Sequence, residues 1–155
     1  MNSFFKLIIC LIIPLAVGGI SGVATASGMD AWFLNLNKPI FNPPNYLFGP
    51  VWTLLYILMG ISLYLIIQTP KVHARKKAII IFALQLFLNF CWSFLFFKFH
   101  LLGIAFIEIL LIWVSIITMI FYFKKLNKTA AYLQIPYLLW VSFASVLNGS
   151  IWFLN

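Results

Sequence analysis

Tryptophan and asparagine side chains are the groups in this chain best suited to binding a small molecule. An indole face stacks on planar rings, while an indole N–H or an amide offers a few directional hydrogen bonds, as is usual in small-molecule sites. Trp52 and Tyr56 are four residues apart and therefore share one face of a helix. Trp140, Ala144 and Asn148 repeat the same spacing. Together the two patterns predict a site for a large, flat, apolar ligand.

The sequence also excludes several kinds of chemistry. It contains no Ser-His-Asp arrangement, carboxylate pair or glycine-rich phosphate loop, so no standard hydrolase or kinase site can be built. Cys10 and Cys91 lie within apolar runs, which indicates buried hydrophobic side chains and not a disulfide. No Cys/His cluster suggests a metal, and we expect no required cofactor.

The elements that position these side chains must lie in lipid. Of the 155 residues, 65% are hydrophobic and 8% are charged, whereas soluble domains have about 45–50% apolar and about 25% charged residues. A soluble globule of this length could not bury so much apolar surface. The net charge of +8 arises from basic residues between the apolar runs, which is typical of membrane topology and of contact with anionic lipid headgroups. Nucleic-acid binding is not expected, because no RNA-binding, zinc or basic-helix motif accompanies the charge.

Five apolar runs are each long enough to cross a hydrocarbon core of about 30 Å as a helix. They lie at residues 7–25, 49–69, 78–97, 101–123 and 129–154. The predicted fold is therefore all-α, a single domain over residues 1–155 that forms an integral membrane bundle of five transmembrane helices. Residues 26–48 form the one long connection, whose aromatic and proline content indicates an ordered cap and not a solvated linker.

The basic residues predict the orientation of the bundle. Eight of them fall on one side of a five-span arrangement, against Lys38 and Lys98 on the other. The positive-inside rule then places the N-terminus in the cytoplasm, and the C-terminus and the cap outside, for a protein of the bacterial inner membrane.

The first span has an alternative interpretation as a cleaved signal peptide. Lys6, the apolar stretch and the small residues 24–26 resemble such a segment. The stretch is longer than a typical apolar region of about 7–15 residues, and Gly18 and Gly22 form a small-residue face suited to helix packing. We therefore expect the span to be retained.

Helix geometry predicts where the polar residues lie in the bilayer. With a rise of about 1.5 Å per residue, Trp52 lies about 4 Å and Tyr56 about 10 Å below the outer surface. Trp92 and Asn89 lie about 8 Å and about 12 Å from the outer end of the third span, and Asn148 occupies a similar level in the fifth. Polar side chains inside a bilayer are costly unless they face a helix or a cavity. Their convergence predicts a pocket in the outer half of the bundle, beneath the cap.

Each of these residues also has a purely structural interpretation. Trp32 and Trp152 lie where interface anchors are common. Asn89 and Asn148 could join helices by hydrogen bonds instead of contacting a ligand. Glu108 is expected to be protonated and bonded to a neighbouring helix, since an isolated buried carboxylate neutralises. His73 and His100 are expected to be solvated.

Three blocks of sequence resemble the TspO/MBR family, the tryptophan-rich sensory proteins related to the mitochondrial translocator protein. The first and most specific runs from Trp32 to Gly60 and reads WFLNLNKPIFNPPNYLFGPVWTLLYILMG. The others are QLFLNFCWSFLFF, from Gln85 to Phe97, and PYLLWVSFASVLN, from Pro136 to Asn148. The likeness covers essentially the whole chain in order and spacing.

The resemblance implies a five-helix bundle, commonly a homodimer, with one pocket under the first long loop. Family members bind porphyrins such as protoporphyrin IX, so a haem-like tetrapyrrole is the implied ligand, with membrane lipid as the surroundings. By motif match, Trp52, Asn89, Trp140, Ala144 and Leu147 would lie in the pocket. The cap would contribute Trp32, Lys38, Pro39 and Pro43. Light-dependent porphyrin degradation in some members would involve the positions of Trp52 and Trp140.

The sequence departs from animal relatives at two places. Asn42 and Asn45 stand where those relatives have histidines, so axial ligation of haem by the cap is not supported. The cholesterol motif needs a tyrosine and a basic residue near the end of the fifth helix, but Gly149 follows Asn148 and no basic residue comes after it. The third span also has no clear small-residue pair, which leaves Gly18 and Gly22 as another candidate dimer face.

The leading functional hypothesis is a membrane receptor or sensor for porphyrins and related hydrophobic ligands. The alternatives are a light- and oxygen-dependent porphyrin-degrading enzyme, and a transporter of tetrapyrroles or lipids along the lipid-facing surface. The full set of predicted ligand contacts is Trp32, Lys38, Pro39, Phe41, Pro43, Tyr46, Trp52, Tyr56, Asn89, Trp92, Tyr137, Trp140, Ala144, Leu147 and Asn148.

Overall fold

Five long helices and several short ones make up the computed structural model, which describes residues 1–155 and contains no strand. The long helices are α1 (Ser3–Gly28), α3 (Phe48–Ile67), α4 (His73–Ser93), α5 (Leu102–Leu126) and α7 (Ile135–Leu154). The short elements are α2 (Ala31–Asn35), a 3₁₀ turn (Asn45–Leu47), a π turn (Phe94–Lys98) and α6 (Lys128–Tyr132). Five helical segments are long and apolar enough to cross a membrane. The prediction of an all-α integral membrane bundle is confirmed.

The helix bounds differ from the predicted apolar runs. Helix α3 ends at Ile67 and not at residue 69, and the run predicted at residues 129–154 is divided into α6 and α7 by a turn. Other helices extend beyond their runs. The Asn2 side chain accepts a hydrogen bond from the backbone N–H of Phe4 and so caps α1 before its apolar part begins. At the other end α1 continues to Gly28, three residues past the predicted limit at residue 25. Likewise α4 begins at His73 and not at residue 78, because the basic residues that precede its apolar run are good helix formers.

The long connection at residues 26–48 contains regular structure that the sequence analysis did not predict. Besides the end of α1, it holds α2, whose N-terminus is capped by the Asp30 side chain accepting from the N–H of Trp32 at 3.0 Å. The 3₁₀ turn then leads directly into α3. This cap is tied to the far end of the chain, because the backbone N–H of Asn37 donates to Asn155 Oδ1 at 3.0 Å and Asn155 Nδ2 donates to Asn37 O at 2.8 Å.

Close approach of α1 to α3 depends on glycine. A Cβ atom on Gly60 would lie 2.8 Å from the carbonyl oxygen of Cys10, closer than packed atoms allow. The absence of a side chain therefore lets the two backbones meet at this level. Gly18, further along α1, lies against the ring of Tyr56 in the same chain. Gly18 therefore allows α1 to pack against Tyr56 of α3 within one chain.

Two apolar clusters form the interior. The larger one includes Met59, Ile116 and Phe123, each fully buried among the helices. The smaller one lies beneath the cap and joins Phe33 of α2 to the π turn, α5 and α7. Trp92 packs against both clusters. The candidate functional site lies at the junction between them.

His100 is exposed, in agreement with the prediction that it is solvated, and its ring also stacks on Trp32 with 3.7 Å between centroids. It is the only non-glycine residue with a positive φ, 57°, in the tight connection between the π turn and α5. The stack fixes Trp32 of the cap against the end of α4.

Candidate functional site

A cavity of about 380 Å³ lies beneath α2, between α1, α3, α4 and α7. This volume falls within the range of about 300–1,000 Å³ that is usual for small-molecule sites. Of the 23 residues that line it, none is charged. The cavity is therefore an apolar compartment with a few neutral polar groups.

Indoles from three helices line the cavity, namely Trp52 of α3, Trp92 of α4 and Trp140 of α7. Trp52 stacks on Tyr56 with 5.7 Å between ring centroids and 28° between planes. Trp140 packs against Phe143, with 5.5 Å between centroids. The Nε1 atom of Trp140 is buried and has no hydrogen-bond partner. An unused donor therefore remains on a side chain that faces the cavity.

A buried hydrogen-bond network fixes the ring of Tyr56 from behind. Tyr56 Oη donates to Asn89 Oδ1, Asn89 Nδ2 donates to Tyr137 Oη, and Tyr137 Oη donates to Gln85 Oε1, each at 2.8 Å. Tyr56 lines the cavity, whereas Asn89 and Tyr137 do not. The Asn89 amide is therefore used for joining helices and positioning Tyr56.

Asn148 contacts the cavity directly. Its Oδ1 accepts from Trp92 Nε1 at 3.0 Å and its Nδ2 donates to the carbonyl of Leu102 at 3.1 Å. The amide thus orients the Trp92 indole and joins α7 to α4 and α5 at once. Ala144 and Leu147 line the cavity beside it.

The predicted cap residues do not line this cavity. Lys38 Nζ donates to the carbonyls of Leu34 and Leu36 and lies 4.8 Å from the centroid of the Phe33 ring. Phe41 packs on Phe143. These contacts hold the cap in place, and the cap contributes Met29 and Phe33 to the lining instead.

The remaining cap predictions lie further away. Trp32 stacks on His100, as described above. Tyr46 is 75% exposed, and Pro43 is half-buried outside the lining. Pro39 borders a separate surface groove between α5 and α7.

Much of the lining was missed by the sequence analysis. The face of α1 that includes Gly18, Gly19 and Gly22 borders the cavity, and a Cβ atom on Gly19 or Gly22 would meet nothing within 4 Å. The glycine repeat was interpreted as a packing face, but it also provides open space. Phe48 and Phe96 are further lining residues, and nothing in their spacing separates them from phenylalanines that face lipid.

Glu108 lies apart from the cavity. It is 8% exposed on α5, and its Oε2 atom is buried without a hydrogen-bond partner. The expected hydrogen bond to a neighbouring helix is therefore not present at that atom. No group of three or more His, Cys, Asp and Glu side chains is placed to hold a metal ion.

Known proteins resemble this chain along its whole length. Residues 10–153 match the TspO/MBR family. The chain is 39% identical to the tryptophan-rich protein TspO of Chlorobaculum tepidum, over 99% of this chain and 98% of the relative. It is 40% identical to the protein of the same name from Archaeoglobus fulgidus, over 99% of both chains. The translocator protein of Ovis aries is 34% identical over 87% of this chain and 82% of the relative.

The sequence blocks that suggested this family thus agree with a match that covers nearly every residue of the five spans. Its relatives carry the names of tryptophan-rich sensory and translocator proteins. The chain belongs to the TspO/MBR family of integral membrane proteins.

Proposed function

We propose that this protein is a membrane receptor that binds a porphyrin, such as protoporphyrin IX, in the cavity beneath the cap. The observation that carries the proposal is an uncharged cavity of about 380 Å³ bordered by the indoles of Trp52, Trp92 and Trp140. Stacking on indole faces favours planar rings, and the apolar lining favours ligands that partition into lipid.

The exposed part of the lining supports entry of the ligand from the bilayer. Gly19 and Gly22 of α1 and Gly49 and Thr53 of α3 border the cavity and are themselves exposed. Deeper in the membrane α1 and α3 meet closely at Gly60. The two helices therefore leave an opening at the outer end, where a flat hydrophobic molecule can pass sideways from lipid.

Quenching of tryptophan fluorescence by protoporphyrin IX tests this function. We expect saturable quenching in the native protein and a large loss of affinity in Trp140→Ala. Trp113→Phe is the matched control, because Trp113 lies at the lipid-facing surface of α5 and its N–H bonds to Ser142. Equal affinities in Trp140→Ala and the native protein would contradict the proposal.

A second candidate is the light- and oxygen-dependent oxidation of the bound porphyrin. It is favoured by one observation, that both Trp52 and Trp140 border the same cavity. An excited porphyrin in contact with an indole can take an electron from it and pass that electron to molecular oxygen, which becomes superoxide. The indole radical cation then recovers an electron from the porphyrin, and superoxide adds to the porphyrin radical cation so formed. Illumination of the protein with protoporphyrin IX in air should then bleach the porphyrin faster than in the Trp52→Phe, Trp140→Phe variant. Equal bleaching rates would exclude this activity.

We further propose a cytoplasmic N-terminus in a bacterial inner membrane. Ser3, near the N-terminus, is hydrogen-bonded to Tyr64 and Gln68 at the end of α3, so the start of α1 lies beside the loop that leads to α4. Arg75 and its basic neighbours lie there, and such a concentration of positive charge favours the cytoplasmic side. The homodimer implied by the family likeness stays a prediction, to be tested by mass measurement of the protein in detergent.

A further inference from the structure

Six hydroxyl side chains on the membrane-spanning helices share one hydrogen-bonding pattern. Each of these six donates to the backbone carbonyl four residues earlier, at 2.7–2.9 Å, whereas Ser27 and Ser62 donate to other backbone carbonyls. The residues that do so are Thr53, Ser115, Thr118, Ser142, Ser145 and Ser150.

Ser21 of α1 departs from this pattern. It is 3% exposed, and its Oγ atom has no hydrogen-bond partner at all. Leaving a buried hydroxyl unpaired is destabilising, and Ser21 lines the cavity. The hydroxyl is therefore an unused donor on a residue that lines the cavity.

Three further serine or threonine residues line the same cavity, and one of them, Thr53 of α3, already donates its hydroxyl to the Gly49 carbonyl. Thr25 lies one helical turn further along α1, and Ser93 lies on α4. Helix α1 packs against both α4 and the π turn that follows Ser93. We call Ser21, Thr25 and Ser93 the hydroxyl wall. It lies on α1 and α4, whereas Trp52 and Trp140 lie on α3 and α7.

The charge of the cavity restricts what the hydroxyl wall can bind. None of the lining residues is charged, so an ionised carboxylate here would have no cation beside it and would lose its hydration. A neutral carbonyl oxygen has no such penalty and accepts a hydrogen bond from a hydroxyl. The unpartnered Nε1 of Trp140 is one more neutral donor bordering the same space.

We propose that the hydroxyl wall binds an uncharged oxygen at the edge of the ligand, such as that of an ester, an amide or a protonated carboxyl group. This inference rests on the proposed function, because it concerns a flat ring stacked on the indoles. It adds a requirement that stacking alone does not impose, since an oxygen-free ring of the same size would leave the hydroxyls unpaired.

Two porphyrins that differ at the ring edge test the proposal. Protoporphyrin IX dimethyl ester carries neutral carbonyl groups, whereas octaethylporphyrin carries only alkyl groups. We expect Ser21→Ala to weaken binding of the ester by about five-fold, the equivalent of one hydrogen bond, and to leave octaethylporphyrin affinity unchanged. Ser93→Ala should act in the same direction. Ser115→Ala is the control, because the Ser115 hydroxyl donates to the Leu111 carbonyl and both residues lie on α5, which does not line the cavity.

The outcomes separate this inference from the proposed function. If both porphyrins bind in a Trp140-dependent way but neither Ser21→Ala nor Ser93→Ala discriminates between them, the hydroxyl wall is overturned and the receptor function stands. If protoporphyrin IX as the diacid binds more than about ten-fold tighter than its ester, the cavity prefers an anion and the inference is likewise overturned. If neither porphyrin binds saturably, the receptor function itself is contradicted. If Ser21→Ala does not fold, the Thr25→Val, Ser93→Ala double variant gives the same comparison.

Discussion

Tyr56 Oη donates a 2.8 Å hydrogen bond to Asn89 Oδ1, which joins α3 to α4 directly behind the cavity wall. The ring of Tyr56 lies between Gly18 on one side and Trp52, stacked on it, on another. A helix contact and a cavity wall thus depend on the same side chain. Ligand binding in this cavity would therefore involve a residue that also stabilises the fold.

Removing the Tyr56 hydroxyl should lower stability more than affinity. Tyr56→Phe keeps the stacked ring but leaves the buried Asn89 Oδ1 without its donor, at a cost of about 1–3 kcal/mol. We expect a lower midpoint of thermal unfolding in detergent and a small change in porphyrin affinity. Tyr132→Phe, at a side chain that is 58% exposed, is the control. Unchanged unfolding in Tyr56→Phe would show that the network contributes nothing to the fold.

Filling the glycine face of α1 should separate binding from folding. Gly22→Leu places a side chain where a Cβ atom meets nothing within 4 Å, and it also replaces glycine by a better helix former, a gain of up to about 1 kcal/mol. We expect porphyrin affinity to fall at least about ten-fold while the unfolding midpoint is maintained or raised.

Gly18→Ala is the contrasting substitution. Its new Cβ would collide with the ring of Tyr56, so we expect a lower unfolding midpoint. The two variants should thus change stability in opposite directions. Full porphyrin affinity in Gly22→Leu would show that the ligand does not occupy the space beside α1.

The link between Asn37 and Asn155 should control how long a ligand stays bound. Asn155→Ala removes the amide that accepts from the Asn37 N–H and donates to the Asn37 carbonyl. We expect the cap to open more often and bound porphyrin to dissociate faster, by about five-fold for each hydrogen bond lost. Stopped-flow displacement of the porphyrin measures this rate, with Ser150→Ala as the control. Equal dissociation rates would mean that the ligand leaves without movement of the cap.

The sequence predicts the bundle because lipid imposes a simple requirement on each span. An apolar run long enough to cross the membrane must be helical, so the five spans follow from hydropathy. Their bounds differ from prediction, and the fifth run is divided into α6 and α7 by a turn that hydropathy does not indicate. Trp52, Tyr56, Trp92, Trp140 and Asn148 line one cavity, as their positions along the helices predicted. Spacing along a helix gives the side-chain face and the level in the membrane, and for these residues that is sufficient.

Other features require the relative rotation of the helices, which spacing does not provide. Asn89 shares the level of the cavity, yet its amide is used by two tyrosines and lies behind the wall. Glycine repeats have the same spacing whether they admit a neighbouring helix or leave a space. Here Gly18 packs against the ring of Tyr56, whereas Gly22 leaves open space. The cap residues were expected to contact the ligand, but Lys38 does not line the cavity and its ammonium group donates to two backbone carbonyls within the cap.

Diffraction from crystals grown with zinc protoporphyrin IX, recorded at the zinc absorption edge, shows directly whether a porphyrin occupies the cavity. We expect a single anomalous peak inside the cavity, with the porphyrin ring against Trp52 and Trp140 and the cap closed by Asn37 and Asn155. A peak in the separate surface groove between α5 and α7, with the cavity empty or filled by a lipid chain, would contradict porphyrin binding in the cavity.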